Sequence, residues 1–186
     1  MTVRLRRMTP ADLPAVTALE RDLFPDDPWP ERMFTSELSA RRDDRFYLVA
    51  DDDGQIAGYA GLLAPPEDRP GGQADVLTMA VAQPRWGQGI GSLLLEALLT
   101  EAGRRSCSDV FLEVRVDNLR AQQLYERYGF TKVGFRRGYY QPSGTDAIVM
   151  RRTAPPGAYG RGAGVRREPT AGGAGVRPRR HPGATK

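Results

Sequence analysis

The sequence is poor in the residues that most often bind metals or act as activated nucleophiles. It holds a single cysteine, Cys107, and a single histidine, His181, in 186 residues. One cysteine cannot form an internal disulfide, and it supplies too few thiolates for a cysteine-based zinc site. One histidine argues against a Ser-His-Asp hydrolase and against a histidine-rich metal site. We therefore expect no metal, an inert Cys107, and chemistry based on carboxylates, tyrosines, hydroxyls or the backbone.

Long hydrophobic runs are also missing. The uninterrupted apolar stretches are only a few residues long, whereas a helix that spans a bilayer needs about 20 apolar residues. The basic start of the chain, MTVRLRRMTPADLP, is not followed by the apolar segment of a secretory signal. We therefore expect a cytoplasmic protein without a membrane anchor.

Acidic residues are nearly absent from the C-terminal segment. Residues 154–186 hold six arginines and one lysine against one acidic residue, Glu168, with eight glycines and five prolines. Such a segment cannot bury enough apolar surface to offset its chain entropy. We predict a folded domain over residues 1–153 and a disordered tail over residues 154–186. The tail is either a basic arm that contacts RNA or the ribosome or compositional drift, which we favour because arginine outnumbers lysine 25 to 2 in the chain.

The hydrophobic pattern of the first 153 residues predicts a mixed α/β fold. The elements follow the order β, α, α, β, β, β, α, β, α, β, β, which gives a sheet of about seven strands covered by four helices. The mostly apolar segment ADVLTMAV is predicted to be a central strand. The helix after it is predicted to bury one wide apolar face, formed by Ile90, Leu93, Leu94, Ala97, Leu98 and Ala102.

A glycine-rich turn joins that strand to that helix. Residues 81–92 read VAQPRWGQGIGS, with Gly87, Gly89 and Gly91 near the helix start. Unshielded backbone N–H groups and the positive end of the helix dipole suit a pyrophosphate there. Tight packing is the alternative reason for such glycines. No Lys-Ser/Thr pair follows the glycines, so the turn is not a P-loop. A Rossmann dinucleotide site would follow the first strand of its fold, whereas this turn follows the fourth predicted strand.

A second motif, FLEVRVDNLRAQQLYERYGF over residues 111–130, joins a strand to a helix. The motif and the glycine-rich turn together strongly resemble the GNAT acetyltransferases. The segments PWPERMF, GYY and DAIVM make the chain more similar to one subgroup, the ribosomal-protein-alanine N-acetyltransferases. The resemblance covers roughly residues 3–152. It implies the GNAT fold, acetyl-CoA as cosubstrate, and acetylation of a protein N-terminus, the N-terminal alanine of a small-subunit ribosomal protein.

The resemblance also implies roles for individual residues. Glu113 would be the general base and Tyr125 the general acid, which suits an amine with a pKa near 8 and a departing thiolate. Each residue also has a plainer alternative. Glu113 could be a solvated strand glutamate, Tyr125 a core tyrosine and Asn118 a helix N-cap. The residues implied to bind CoA are Met79, Ala80, Val81, Gly87, Gln88, Gly89, Ile90, Gly91, Ser92 and Asn118.

The turn departs from the family pattern at one position. The family loop usually reads Q/R-x-x-G-x-G/A, and counting back from Gly89 places Trp86 where the Gln or Arg belongs, with Arg85 one residue earlier. The departure implies that a side-chain contact to a CoA phosphate is lost or shifted, while the backbone cradle is kept.

Two other functions stay open at this point. One is a GNAT enzyme that acetylates a small-molecule amine or a lysine side chain, because acceptor pockets vary most within the family. The other is a non-catalytic CoA-binding module recruited through its basic tail.

Removing residues 154–186 tests the predicted tail. We expect the melting temperature and the turnover of a free acceptor peptide to stay almost unchanged, because the segment has too few apolar residues to pack on a core. The measurement compares both proteins by thermal unfolding and on peptide and ribosomal particles at two salt concentrations. If the truncated protein loses turnover of the free peptide, the predicted disorder of the tail is wrong. If it loses activity only on ribosomal particles, and this loss depends on salt, the basic-arm alternative is supported.

Overall fold

The computed structural model describes residues 3–39, 43–66 and 68–154. The strands are β1 (Arg4–Arg7), β2 (Arg45–Asp52), β3 (Gln55–Leu63), β4 (Gln73–Val81), β5 (Asp109–Arg115), β6 (Thr131–Tyr140) and β7 (Thr145–Thr153). The helices are α1 (Leu13–Leu23), α2 (Glu31–Glu37), α3 (Ile90–Arg104) and α4 (Leu119–Arg127). Their number and order confirm the predicted mixed α/β fold. Apart from Ala154, the predicted tail lies outside the described residues.

The seven strands form one sheet in the order β1-β2-β3-β4-β5-β7-β6. Strands β1 to β4 form an antiparallel meander. Helix α3 then carries the chain across one face, so that β5 runs parallel to β4. Strand β4 is the fourth of the seven, as its apolar sequence predicts. No helix in the described ranges is long and apolar enough to cross a membrane.

Each face of the sheet is covered by its own apolar core. One core packs α3 and α4 against the sheet, and it includes Leu94, Leu98, Leu112 and the free thiol of Cys107. The other core packs α1 and α2 against the opposite face. The sheet is thus the middle of three layers, as expected for strands whose side chains are apolar on both faces.

The buried face of α3 differs in part from the prediction. Leu93 leaves 42 % of its surface exposed, whereas Leu95, which was not predicted, is fully buried. Both residues flank Leu94, and three consecutive leucines give no sequence signal for the direction in which the helix is rotated about its axis. The packing of the helix on the sheet decides which leucine is left in solvent.

Strands β4 and β5 separate shortly after they begin to pair. Among the described residues their register runs only from Gln73 opposite Asp109 to Asp75 opposite Phe111. Strand β4 continues to Val81 on the β3 side, whereas β5 continues along β7. The sheet therefore opens between these two strands in the direction of their C-terminal ends.

A buried carboxylate fixes the connection between α1 and α2 beside the sheet. Glu20 is only 1 % exposed. One of its oxygens accepts a hydrogen bond from the Tyr59 hydroxyl of β3, and the other accepts from the backbone N–H of Trp29 at 3.0 Å. A buried carboxylate needs such partners to offset its lost hydration. The pairing holds the α1–α2 connection against β3.

Replacing Gly61 by alanine should destabilise the meander. An added Cβ would overlap the ring of Tyr47, which lies opposite Gly61 on β2 and is 2 % exposed. We expect a loss of about 1–3 kcal/mol in the free energy of unfolding, typical of an overpacked core, measured by urea denaturation.

Gly134→Ala on β6 is the matched control. Its Cβ would meet Val149 at an ordinary 3.8 Å, so its effect should stay within about 0.5 kcal/mol. Equal stability of the two variants would contradict the close packing of Tyr47 on Gly61.

Candidate active site

A cleft of about 820 Å³ occupies the opening between β4 and β5. Its walls come from the α1–α2 connection, the end of β4, the glycine-rich turn, the start of α4 and the β6–β7 turn. This volume lies in the range of small-molecule and cofactor sites. The separation of the two strands and the crossover at α3 together create the cleft.

The glycine-rich turn presents its backbone to the cleft. Gly87 and Gly89 have φ angles of 81° and 82°, and a Cβ added at either would meet no atom within 4 Å. Gly89 is the N-cap of α3, and the first N–H groups of a helix have no acceptor within the helix. Open space, free donors and the helix dipole together fit a diphosphate.

The backbone of β4 also faces the opening. The N–H of Ala82 donates to Ala57 of β3 at 2.9 Å, and in an antiparallel pair alternate residues point to the partner strand. The N–H and C=O groups of Met79 and Val81 therefore point away from β3, toward the side where β5 has left the sheet. They offer an edge to which an extended amide-containing chain can add.

Most of the residues implied to bind CoA lie on the cleft wall. Those that line it are Met79, Ala80, Val81, Gly87, Gly89, Gly91, Ser92 and Asn118. Gln88 is turned away, since its side chain donates to the carbonyl of Pro84 at 3.3 Å. Ile90 is 1 % exposed and packs in the α3 core, so only its backbone N–H is available to an anion.

Asn118 takes up the plainer role foreseen for it. Its Oδ1 accepts from the backbone N–H of Ala121 at 3.1 Å, which makes it the N-cap of α4. The residue also lines the cleft. Capping and a place on the cleft wall are thus compatible at one position.

Glu113 lies on β5 beside the cleft but does not line it. Its side chain is 14 % exposed, and Oε1 lies 3.1 Å from Nη2 of Arg136 on β6. Burial raises the pKa of the Glu113 carboxyl; Arg136 opposes this rise, and the nearby carboxylate of Asp75 adds to it. The net rise makes Glu113 a better proton acceptor than an exposed glutamate.

Tyr125 is buried in the α3–α4 core, 1 % exposed, with its ring against Phe130. Burial raises the pKa of its hydroxyl, so the phenol stays protonated at neutral pH. Like Glu113, it does not line the cleft, and the two side chains start from different layers. The structure therefore does not bring the two predicted catalytic groups into direct contact.

Tyr140, which was not among the predicted site residues, contacts the strand that carries Glu113. It lines the cleft, and its hydroxyl donates to the backbone carbonyl of Glu113 at 3.4 Å. Burial is the main cause of the raised pKa of the Tyr140 hydroxyl, and Tyr139, Tyr125 and Glu113 add to the rise. The GYY segment in the family resemblance was the available signal.

Two more cleft residues were missed. Arg115 and Asp117 form a two-bond pair, from Nε to Oδ1 at 2.9 Å and from Nη2 to Oδ2 at 2.8 Å. Both line the cleft near the end of β5. They lie within the LEVRVDN segment, where only the glutamate and the asparagine carried a signal.

The sequence has clear relatives. Residues 13–130 match the Acetyltransferase (GNAT) family. The N-alpha-acetyltransferase RimI of Mycobacterium tuberculosis is 40 % identical over 151 residues, which cover 81 % of this chain and 92 % of the relative. The chain belongs to the GNAT acetyltransferase family.

Other GNAT proteins agree in sequence and fold. The ribosomal protein bS18-alanine N-acetyltransferase of Escherichia coli is 33 % identical over 141 residues, 75 % of this chain and 89 % of the relative. The crystal structure of the ribosomal-protein-S18-alanine N-acetyltransferase from Escherichia coli superposes with a TM-score of 0.70 at 27 % identity, covering 89 % of this chain and 99 % of that one. The GNAT fold implied by the sequence motifs is confirmed.

Glu113→Gln should stabilise the protein at pH 7. A carboxyl whose pKa is raised on folding disfavours the folded state above its unfolded pKa, where the carboxylate must be buried charged. Below pH 4 both states hold the proton, and the difference between variant and wild type should vanish. The measurement is the melting temperature of both proteins from about pH 2 to pH 8.

Asp12→Asn is the control with the opposite sign. The hydrogen bond from Arg6 lowers the pKa of Asp12 to about 2, so its charge stabilises the fold at neutral pH. This variant should be less stable than wild type at pH 7, with the deficit shrinking as the pH falls toward 2. A Glu113→Gln protein that also loses stability at pH 7 would contradict the unfavourable burial of Glu113.

Proposed function

We propose that the protein transfers the acetyl group of acetyl-CoA to the N-terminal amine of a protein, and that the acceptor is the N-terminal alanine of a small-subunit ribosomal protein. The observation that carries the proposal is the cleft, which joins a diphosphate cradle to the open edge of β4, with Tyr140 on its wall and Glu113 beside it. Two relatives support the choice of acceptor: the Mycobacterium tuberculosis protein is an N-alpha-acetyltransferase, and the Escherichia coli protein is a ribosomal protein bS18-alanine N-acetyltransferase.

The cofactor would lie along the wall that carries the predicted residues. Gly87, Gly89 and the first N–H groups of α3 would hold its diphosphate. The backbone groups of Met79 and Val81 would pair with the amides of the pantetheine arm, as an added strand does. When bound, acetyl-CoA supplies an acyl group already activated as a thioester.

Glu113 would take the proton of the acceptor. An N-terminal ammonium has a pKa near 8, so most acceptor molecules must lose a proton before attack at neutral pH. The carboxyl of Glu113 has its pKa raised by burial, which brings it closer to that of the amine. Proton transfer, directly or through one water, is then less uphill than to an exposed carboxylate.

Tyr125 would give a proton to the departing sulfur. Burial keeps its hydroxyl neutral, so the proton is available throughout the physiological pH range. Tyr140, whose pKa is also raised chiefly by burial, lies on the cleft wall. Residues 1–153 would form the catalytic domain, and residues 154–186 would not take part in the chemistry.

The test is acetyl transfer to short peptides, followed by thiol release. We expect the highest kcat/KM for a ribosomal N-terminal sequence that begins with alanine. Glu113→Gln should lower kcat about 10²-fold at pH 7 with little change in acetyl-CoA binding. Activity should recover in part above pH 8, where the amine deprotonates unaided.

Tyr125→Phe should also lower kcat, and Tyr128→Phe is its matched control. Tyr128 lies at the end of the same helix, where its hydroxyl bonds to Glu96 at 2.5 Å on the protein surface. A normal rate for Glu113→Gln would make that residue structural.

Transfer only to lysine side chains or to small amines would show that the acceptor is not a protein N-terminus. CoA binding without any transfer would indicate a non-catalytic binding module.

A further inference from the structure

Trp86, the residue that departs from the family pattern, lies at the mouth of the cleft. Its side chain lines the cleft and the residue is 47 % exposed. The indole N–H donates to the backbone carbonyl of Val81 at 2.7 Å. The one polar group of this exposed tryptophan is therefore hydrogen-bonded to the edge of β4.

The carbonyl of Val81 is one of the backbone groups that the opening of the sheet leaves without a neighbouring strand. It points away from β3, because the neighbouring Ala82 bonds to β3. In the proposed function this edge pairs with the pantetheine arm. Trp86 therefore occupies an acceptor that the cofactor would use.

Arg120 holds the indole from the other wall of the cleft. It lies in the first turn of α4, and its guanidinium carbon is 4.5 Å from the centre of a Trp86 ring. Such a cation–π contact is attractive even at an exposed site. The turn before α3 and the start of α4 are therefore joined across the cleft by one stacked pair.

The backbone that carries Trp86 is itself fixed. The N–H groups of Arg85 and Trp86 donate to Ala82 and Gln83 at 2.9 and 3.1 Å. The guanidinium of Arg85 also forms an ion pair with Asp52, which is 5 % exposed. The indole is thus presented to Val81 by a folded turn.

We propose that Trp86 competes with the pantetheine arm for the Val81 carbonyl and, clasped by Arg120, sets the affinity of the cleft for CoA. The inference rests on the proposed function, since it takes CoA as the occupant of the cleft. Binding of CoA then requires the indole N–H to leave the Val81 carbonyl. The free energy of the hydrogen bond that is broken reduces the net free energy of CoA binding.

Trp86→Phe tests the competition. The variant keeps one aromatic ring for Arg120 but loses the five-membered ring of the indole, and the N–H with it. Because residue 86 is 47 % exposed, the variant should fold normally. We expect the Kd for CoA, measured by titration calorimetry, to fall about three- to tenfold, the range of one hydrogen bond. The Kd of adenosine 3′,5′-bisphosphate, which lacks the pantetheine arm, should not change.

A second measurement follows the indole directly in the wild-type protein. The chain has two tryptophans, so the spectrum of ¹⁵N-labelled protein contains two indole signals, and Trp86→Phe assigns them. CoA should speed the exchange of the Trp86 indole proton with solvent, because that proton loses its acceptor. Adenosine 3′,5′-bisphosphate should leave its exchange rate unchanged.

The outcomes separate the two proposals. Wild-type protein that does not bind CoA would contradict the proposed function. Wild-type protein that binds CoA, with an unchanged or higher Kd in Trp86→Phe, would overturn only the competition, as would an indole proton that stays protected in the complex. Equal tightening for CoA and for the bisphosphate would also overturn it, because the effect would then come from the nucleotide end.

Discussion

The separation of β4 from β5 is the constraint on which the rest of the structure depends. Two parallel strands that share three residue pairs leave backbone donors and acceptors exposed along the remainder of each edge. Strand β5 satisfies its other edge through seven residue pairs with β7, so the opening does not unravel the sheet. On the β4 side of the opening, the backbone groups of Met79 and Val81 have no neighbouring strand, and a sheet edge buried in a cleft needs a partner.

The order of strands and helices followed from hydrophobic periodicity and turn signals, because the longer elements show their own period. The cleft wall followed from Gly87 and Gly89, whose positive φ angles are ones that few other residues adopt. Rotation of α3 was not predictable, since Leu93, Leu94 and Leu95 are chemically alike.

Contacts between distant side chains were also beyond the sequence. Nothing in the chain places Arg136 or Tyr140 beside Glu113, because those contacts depend on the register of β6, β7 and β5. The sequence showed that Trp86 departs from the family pattern. Only the fold shows that its indole reaches back five residues to Val81.

Burial raises the pKa of both proposed catalytic groups, with a different consequence for each. It penalises the charged form of Glu113 and so increases its affinity for a proton, whereas in Tyr125 it preserves a proton that is already there. Low-polarity surroundings thus suit both an acceptor and a donor of protons. Sites of this kind commonly cost the fold some stability.

The placement of Cys107 has a consequence for the redox behaviour of the protein. Each turnover of the proposed reaction releases a thiol, which on oxidation forms disulfides able to exchange with a protein thiolate. Cys107 is 1 % exposed, and burial raises the pKa of its thiol, so little thiolate forms and none is within reach of solvent. Among the described residues, this chain offers its own product no sulfur with which to form a mixed disulfide.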